Sequence, residues 1–132
     1  MPEHGALVLI TGGGTGGHVF PGLAAASALV ERGARVHWLG TRTGMESRLV
    51  PAAGISISYL RVSGLRGKRA LQKLLAPFLL VGAIIQALAI MLRLRPCCVL
   101  GTGGFVAGPG GLAARLLGVP VVLHEQNAVA GT

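Results

Sequence analysis

Apolar residues along this chain fall into short runs that alternate with longer segments of helical character. Such alternation is typical of parallel β-strands joined by crossover helices, so we predict an α/β protein with a doubly wound, Rossmann-like parallel sheet. The predicted strands cover residues 6–11, 35–40, 55–62, 97–101 and 119–124. The predicted helices cover residues 21–32, 45–50, 71–94 and 110–117, the first of them with Pro21 in its first turn.

A glycine-rich segment, TGGGTGGHVFPG at residues 11–22, directly follows the first predicted strand. Glycines let the backbone approach a ligand closely, and the N-terminus of the following helix directs free N–H groups and positive partial charge at it. A phosphate or sugar-phosphate is therefore the expected ligand. His18 lies where the helix should begin, a position that disfavours the imidazolium and suits a neutral base. A capping or merely exposed histidine is the alternative on position alone.

A second glycine-rich segment at residues 102–114 resembles residues 15–25, and each segment follows a predicted strand and precedes a predicted helix. Ligands of parallel sheets bind outside the carboxyl ends of the strands, so both segments should line the same edge. The likeness can equally reflect a shared solution to strand–turn–helix geometry. Four polar residues at 124–127 lie at the end of the last predicted strand, at that same edge, although polar residues at a strand end are also ordinary in a loop.

A dinucleotide site is the second hypothesis, because Gly12, Gly14 and Gly17 satisfy the G-x-G-x-x-G pattern. An NAD site should carry an acidic residue after the second strand, where this chain has Thr41 and Arg42. An arginine there suits a 2′-phosphate, so an NADP-binding oxidoreductase domain stays open. No Lys-Ser/Thr pair follows the glycines, which excludes a nucleotide-hydrolase P-loop.

The charge of the chain indicates which kinds of ligand or surface it binds. The sequence has 12 basic and 4 acidic residues, which give a formal net charge of +8. This balance favours phosphorylated ligands or an anionic membrane surface. Aromatic residues are few and are not interleaved with basic ones, so no nucleic-acid partner is expected. The adjacent Cys97 and Cys98 lack zinc-ligand spacing and are predicted to be small buried residues in a reducing compartment.

Residues 74–92 carry no charge and are long enough to cross a bilayer. If the strands on either side share one sheet, this segment must instead be a crossover helix whose apolar outer face suits docking on an anionic membrane. A small membrane-spanning protein is the third hypothesis.

Four motifs occur in a fixed order: GGTGGHVFP at 13–21, SGLRG at 63–67, GGFVAGP at 103–109 and HEQN at 124–127. Together they closely resemble the MurG family of peptidoglycan N-acetylglucosaminyltransferases, and the resemblance covers nearly the whole chain. It implies a two-domain GT-B glycosyltransferase. Residues 1–132 would be its acceptor-binding N-terminal domain, truncated before its end. The donor-binding C-terminal domain would be absent, so the fragment alone should be inactive.

The reaction implied by the resemblance is an inverting transfer of GlcNAc from UDP-GlcNAc to the C4 hydroxyl of MurNAc in undecaprenyl-diphosphoryl-MurNAc-pentapeptide. This step converts lipid I to lipid II in cell wall synthesis. The resemblance implies a peripheral protein on the cytoplasmic face of the bacterial cell membrane, with neither a metal nor another cofactor. The apolar character of residues 74–92 departs from the family, which usually places charges there.

The resemblance also assigns roles to residues of this chain. His18 matches the proposed catalytic base. The residues implied in binding the donor UDP-GlcNAc are Thr15, Gly16, Gly17 and Asn127. The residues implied in binding the acceptor diphosphate are Gly13, Gly14, Gly103, Gly104 and Glu125.

Overall fold

The computed structural model describes residues 6–13, 16–60, 69–103 and 107–123. Strands and helices alternate along these residues, as the pattern of apolar positions predicts. In chain order they are β1 (Leu7–Gly12), α1 (Gly16–Glu31), β2 (Arg35–Gly40), α2 (Glu46–Ala52), β3 (Ser56–Tyr59), α3 (Arg69–Leu94), β4 (Cys98–Gly103), α4 (Ala107–Leu116) and β5 (Val121–Leu123).

The strands form one sheet in the order β3-β2-β1-β4-β5, and every neighbouring pair is parallel. The chain extends the sheet in one direction from β1 to β3 and then returns to the other side of β1 with β4. The switch point of the topology therefore lies between β1 and β4, where ligands of open α/β sheets bind. At this point the register shifts, so that Gly12 at the end of β1 pairs with Gly103 at the end of β4. The predicted doubly wound fold is confirmed.

Helices cover both faces of the sheet. Successive side chains of the central strand β1 pack against helices on opposite faces. Leu9 packs in a buried cluster with residues of α3 and α4, whereas Ile10 packs in a second cluster with α1, α2 and Trp38. All six residues of β1 are buried, as expected for a strand with helices on both sides. Because both faces are covered, the strands are accessible mainly at their ends.

The long apolar helix α3 joins β3 to β4 of the same parallel sheet, so it is a crossover helix, as predicted. One of its faces is buried in the core through residues spaced four apart: Ala83, Ala87 and Met91. The opposite face exposes large apolar side chains: Phe78, Val81, Ile85 and Leu92. Among the described residues, one helical stretch is long and apolar enough to cross a bilayer, Pro77–Leu94, with a mean hydropathy of 2.0.

The first helix begins earlier than predicted. Proline favours a first turn, but α1 begins at Gly16 and carries Pro21 inside the helix. Pro21 lacks only the N–H that would reach the carbonyl of Gly17, near the helix start. Tertiary packing outweighs this loss, since Val19 and Ala26 are fully buried against the sheet. His18 consequently lies within the first turn of α1 and not just before the helix.

Other boundaries differ by a few residues for similar reasons. The fourth helix begins at Ala107 and not at residue 110, which places Pro109 near its start, where a missing N–H costs little. Pro51, predicted to end the second helix, lies inside α2. The edge strands β3 and β5 are shorter than predicted.

Two side chains with displaced pKa values lie away from the carboxyl edge. Burial, together with the nearby Arg93, lowers the pKa of His37, whose Nε2 lies 2.7 Å from Oγ of Ser58. Burial, together with its neighbour Cys97, raises the pKa of the Cys98 thiol at the start of β4. Cys97, which precedes the strand, is exposed and Cys98 is only partly buried, so the prediction that both cysteines are buried is wrong.

Candidate active site

The two glycine-rich segments meet at the carboxyl edge of the sheet, as predicted. They follow β1 and β4, which are neighbours, and the N–H of Gly13 donates a hydrogen bond to the carbonyl of Gly103 (3.3 Å). This contact joins segments separated by most of the chain length.

His18 lies over the junction of the two segments. Its half-buried ring places Nδ1 3.1 Å from the carbonyl oxygen of Thr102. A carbonyl oxygen can only accept, so Nδ1 carries the proton of this hydrogen bond, and Nε2 of the neutral ring keeps its lone pair. The hydrogen bond therefore selects the tautomer that can take a proton at Nε2.

Gly103 is the residue on which the His18 ring rests. Its φ of +109° lies in a region that residues with side chains rarely adopt, and a Cβ here would lie 2.7 Å from Cε1 of His18. Both the backbone conformation and the imidazole therefore require glycine at this position.

The two helices that follow the glycine-rich segments begin at this edge, α1 at Gly16 and α4 at Ala107. The first N–H groups of a helix have no partner within it and carry positive partial charge. Neither helix has an acidic residue in its first turn to offset that charge. The N-termini of these two helices are therefore suited to bind an anionic group such as a diphosphate.

Trp38 supports the first glycine-rich segment from the adjacent strand β2, a role that the sequence does not predict. Its buried indole Nε1 donates to the carbonyl of Gly12 (2.9 Å). The same ring fills the space where a side chain at Gly22 would lie, so α1 packs close to β2. The bond spans 26 positions of sequence, and no local pattern indicates it.

Glu46, at the start of α2, is a second residue that sequence reasoning missed. Its side chain is 0% exposed, and Oε2 accepts hydrogen bonds from the N–H (2.8 Å) and Oγ1 (3.2 Å) of Thr41. The carboxylate occupies the space where Gly13, Gly40 and Gly44 would carry a Cβ. The sequence contains only 4 acidic residues, which makes each of them worth considering as a functional residue. Their small number does not indicate which carboxylate is buried.

Thr102 adds a polar atom at the junction of the two segments. It is 4% exposed, and within the part of the chain that the structure describes its Oγ1 has no hydrogen-bond partner. A Cβ at Gly12 would overlap this hydroxyl, so the end of β1 lies directly against it.

Comparison with known proteins assigns the chain to a family. The profile of the Glycosyltransferase family 28 N-terminal domain matches residues 8–132. The chain belongs to glycosyltransferase family 28. Its parallel sheet and flanking helices are the N-terminal domain of the GT-B architecture.

Relatives within family 28 match nearly the whole chain. A UDP-N-acetylglucosamine–N-acetylmuramyl-(pentapeptide) pyrophosphoryl-undecaprenol N-acetylglucosamine transferase of Pseudomonas fluorescens is 61% identical over 97% of this chain and 36% of its own length. The protein of the same name from Pseudomonas putida is 60% identical over 100% of this chain and 37% of its own length. The crystal structure of Acinetobacter baumannii MurG superposes with a TM-score of 0.84 at 51% identity, covering 96% of this chain and 37% of that one.

The chain thus spans just over a third of the length of these relatives. Because they are transferases, they support the transferase hypothesis and give no support to the NADP-binding alternative. Arg42, the residue on which that alternative rested, is stacked over the ring of Tyr59, 4.4 Å from its centroid.

Of the site residues predicted for this family 28 chain, the structure brings Gly13, Gly103 and His18 into contact, and Gly16 and Gly17 open α1 beside them. The remaining predicted site residues lie outside the described residues: Gly14, Thr15, Gly104, Glu125 and Asn127. The SGLRG and HEQN motifs also lie outside them. Within the described ranges, no group of three His, Cys, Asp or Glu side chains is placed to hold a metal ion.

Proposed function

We propose that this chain is the acceptor-binding N-terminal domain of an inverting transferase. The enzyme moves GlcNAc from UDP-GlcNAc to the C4 hydroxyl of MurNAc in undecaprenyl-diphosphoryl-MurNAc-pentapeptide, with the donor held mainly by a C-terminal domain. The names of relatives about 60% identical to this chain support both substrates. The observation that carries the proposal is the arrangement of His18, with Nδ1 bonded to Thr102 and Nε2 left as an acceptor.

In this proposal His18 is the general base. A single displacement with inversion needs a group that takes the proton from the acceptor hydroxyl while its oxygen attacks the anomeric carbon of GlcNAc. Nε2 of the neutral ring can accept that proton. The resulting imidazolium keeps both nitrogens as donors, so the hydrogen bond to Thr102 persists through the step.

The acceptor diphosphate is proposed to bind at the junction of the glycine-rich segments. Gly13 and Gly103 have no side chains that would block the backbone, and α4 directs its N-terminus to the same edge. Gly14, Gly104 and Glu125 stay predictions for this subsite. A lipid diphosphate held here would place the sugar attached to it close to the His18 ring.

The donor is proposed to approach from the side of α1. Gly16 and Gly17 form the first turn of that helix, where free N–H groups favour the negative charge that develops on the leaving UDP. Thr15 and Asn127 stay predictions as donor contacts. The chemistry implied here uses neither a metal nor another cofactor.

Incubating the full-length protein with radiolabelled UDP-GlcNAc and lipid I tests the proposal. We expect label to enter the lipid fraction as a disaccharide with a β linkage, because the displacement inverts the α-linked donor. Omitting lipid I should abolish this product. A folded full-length protein that transfers no label, or that binds NADPH instead, would contradict the proposal.

We also propose that the outward face of α3 docks on the cytoplasmic face of the cell membrane as a peripheral contact. Phe78, Val81 and Ile85 lie on one exposed face of the helix, and Phe78 is 72% exposed. Arg93 and Arg95 are exposed at its end, and the chain as a whole carries a formal net charge of +8. Apolar side chains beside cations are the combination that binds anionic lipid surfaces.

Vesicle sedimentation of the full-length protein tests this contact. Replacing Phe78, Val81 and Ile85 together by glutamine should lower binding to phosphatidylglycerol vesicles by about tenfold or more, since each apolar side chain contributes through burial. Val30, which is 55% exposed on α1, provides the matched control, and Val30→Gln should bind like the wild type. Undiminished binding by the triple variant would show that α3 is not the docking face.

A further inference from the structure

We infer that Glu46 is a positioning residue for the transfer reaction, acting on His18 through Gly13 and Gly103. The inference rests on the proposed function, because it concerns the geometry of the proposed base. Glu46 is 0% exposed, so its carboxylate acts on neighbouring protein groups and not on a substrate in solvent.

The first step is the contact between Glu46 and the turn that follows β2. Oε2 accepts two hydrogen bonds from Thr41, and the backbone passes around the carboxylate at Gly40 and Gly44, where a Cβ would overlap it. A buried carboxylate is costly unless it is bonded, and here the bonds hold it in one orientation. Glu46 is thus a rigid part of the carboxyl edge.

The second step leads from the carboxylate to the base. Gly13 lies directly against Glu46, at the place where a Cβ would overlap both carboxylate oxygens. The N–H of Gly13 donates to the carbonyl of Gly103, and Gly103 in turn contacts the His18 ring. Moving the carboxylate therefore moves Gly13 and, through Gly103, the surface on which the imidazole rests.

Replacing Glu46 by glutamine keeps the volume but turns one acceptor oxygen into an NH₂ donor. In the full-length enzyme, E46Q should lower kcat about 10- to 100-fold, the loss expected when a reacting group is displaced by a fraction of an ångström to one ångström. Binding of UDP-GlcNAc, measured by calorimetry, should keep its stoichiometry, which shows that the folded fraction is unchanged. Glu31 is an exposed glutamate of α1, and E31Q is the matched control with unchanged kcat.

The decisive measurement is the same substitution in a His18→Ala background. If Glu46 acts through the imidazole, E46Q should lower the residual rate of that variant by less than about threefold, because the group that it positions is gone. An equal fold-loss in both backgrounds, or an unchanged kcat for E46Q alone, would overturn the inference. E46D keeps the charge but withdraws it from Gly13, and should give a smaller loss with the same dependence on His18.

These outcomes separate the inference from the proposed function. A wild-type enzyme that transfers no GlcNAc contradicts the function, whereas an active enzyme that tolerates E46Q contradicts only the role of Glu46. If E46Q does not fold, kcat is measured instead for E46D, both alone and combined with His18→Ala.

Discussion

Replacing His18 by alanine in the full-length enzyme should lower kcat about 10²- to 10⁴-fold, the usual contribution of a positioned general base. The reason is the loss of Nε2, the acceptor that the hydrogen bond to Thr102 leaves available. Stability should fall only slightly, by about 1 kcal/mol, because the ring is half-buried and one hydrogen bond is lost. Steady-state transfer to lipid I, together with thermal unfolding, measures both effects.

His37 provides the matched control for this substitution. It is also half-buried and hydrogen-bonded, but it lies in the first half of β2, away from the carboxyl edge. H37N should therefore keep turnover near that of the wild type. Normal turnover by H18A would remove His18 from the reaction, and an equal loss in H37N would show that the effect is structural.

Replacing Gly103 by alanine should impair both folding and turnover. The φ of +109° alone costs about 1–3 kcal/mol for a residue with a side chain, and the new methyl group would overlap the His18 ring. Turnover should fall because the imidazole must move away from its place over the junction. Chemical denaturation and the transfer assay measure the two losses.

A double variant separates strain from steric overlap. Gly103→Ala combined with His18→Ala removes the ring that the methyl group meets, so part of the lost stability should return while turnover stays low. Gly111→Ala, at a position in α4 with open space around it, is the control and should stabilise the helix by about 0.5–1 kcal/mol. If Gly103→Ala were as stable and active as Gly111→Ala, the contact between Gly103 and His18 would contribute neither to stability nor to turnover.

The layered architecture could be predicted from the sequence because each strand and helix leaves a local pattern. A strand buried on both faces, such as β1, reads as a continuous apolar run, and the glycines after β1 and β4 mark where the strands end. Parallel pairing then places both glycine-rich segments at one edge by geometry alone. His18 could be predicted as a candidate because it is the one titratable side chain in the glycine-rich segment at residues 11–22.

The supports of the site could not be predicted in the same way, because they depend on contacts between distant residues. Thr102 meets His18 across 84 positions of sequence, and Trp38 meets Gly12 across 26. The start of α1 differs from the predicted one for a related reason, because the preference of proline for a first turn is a local rule that packing on the sheet overrides. No local pattern distinguishes Glu46 from a surface glutamate, because its burial depends on the turn at Thr41 and Gly44 that encloses it.

The pairing of β1 with β4 also sets when the site can exist during folding. Gly12 and Gly103 are separated by most of the chain, and a contact of such long range carries a larger loop-closure entropy than a local one. On a growing chain, β1, α1 and β2 precede β4, so the imidazole is synthesised long before the carbonyl that selects its tautomer. A chain that has not yet added β4 to the sheet therefore contains His18 without the Thr102 carbonyl that orients its ring.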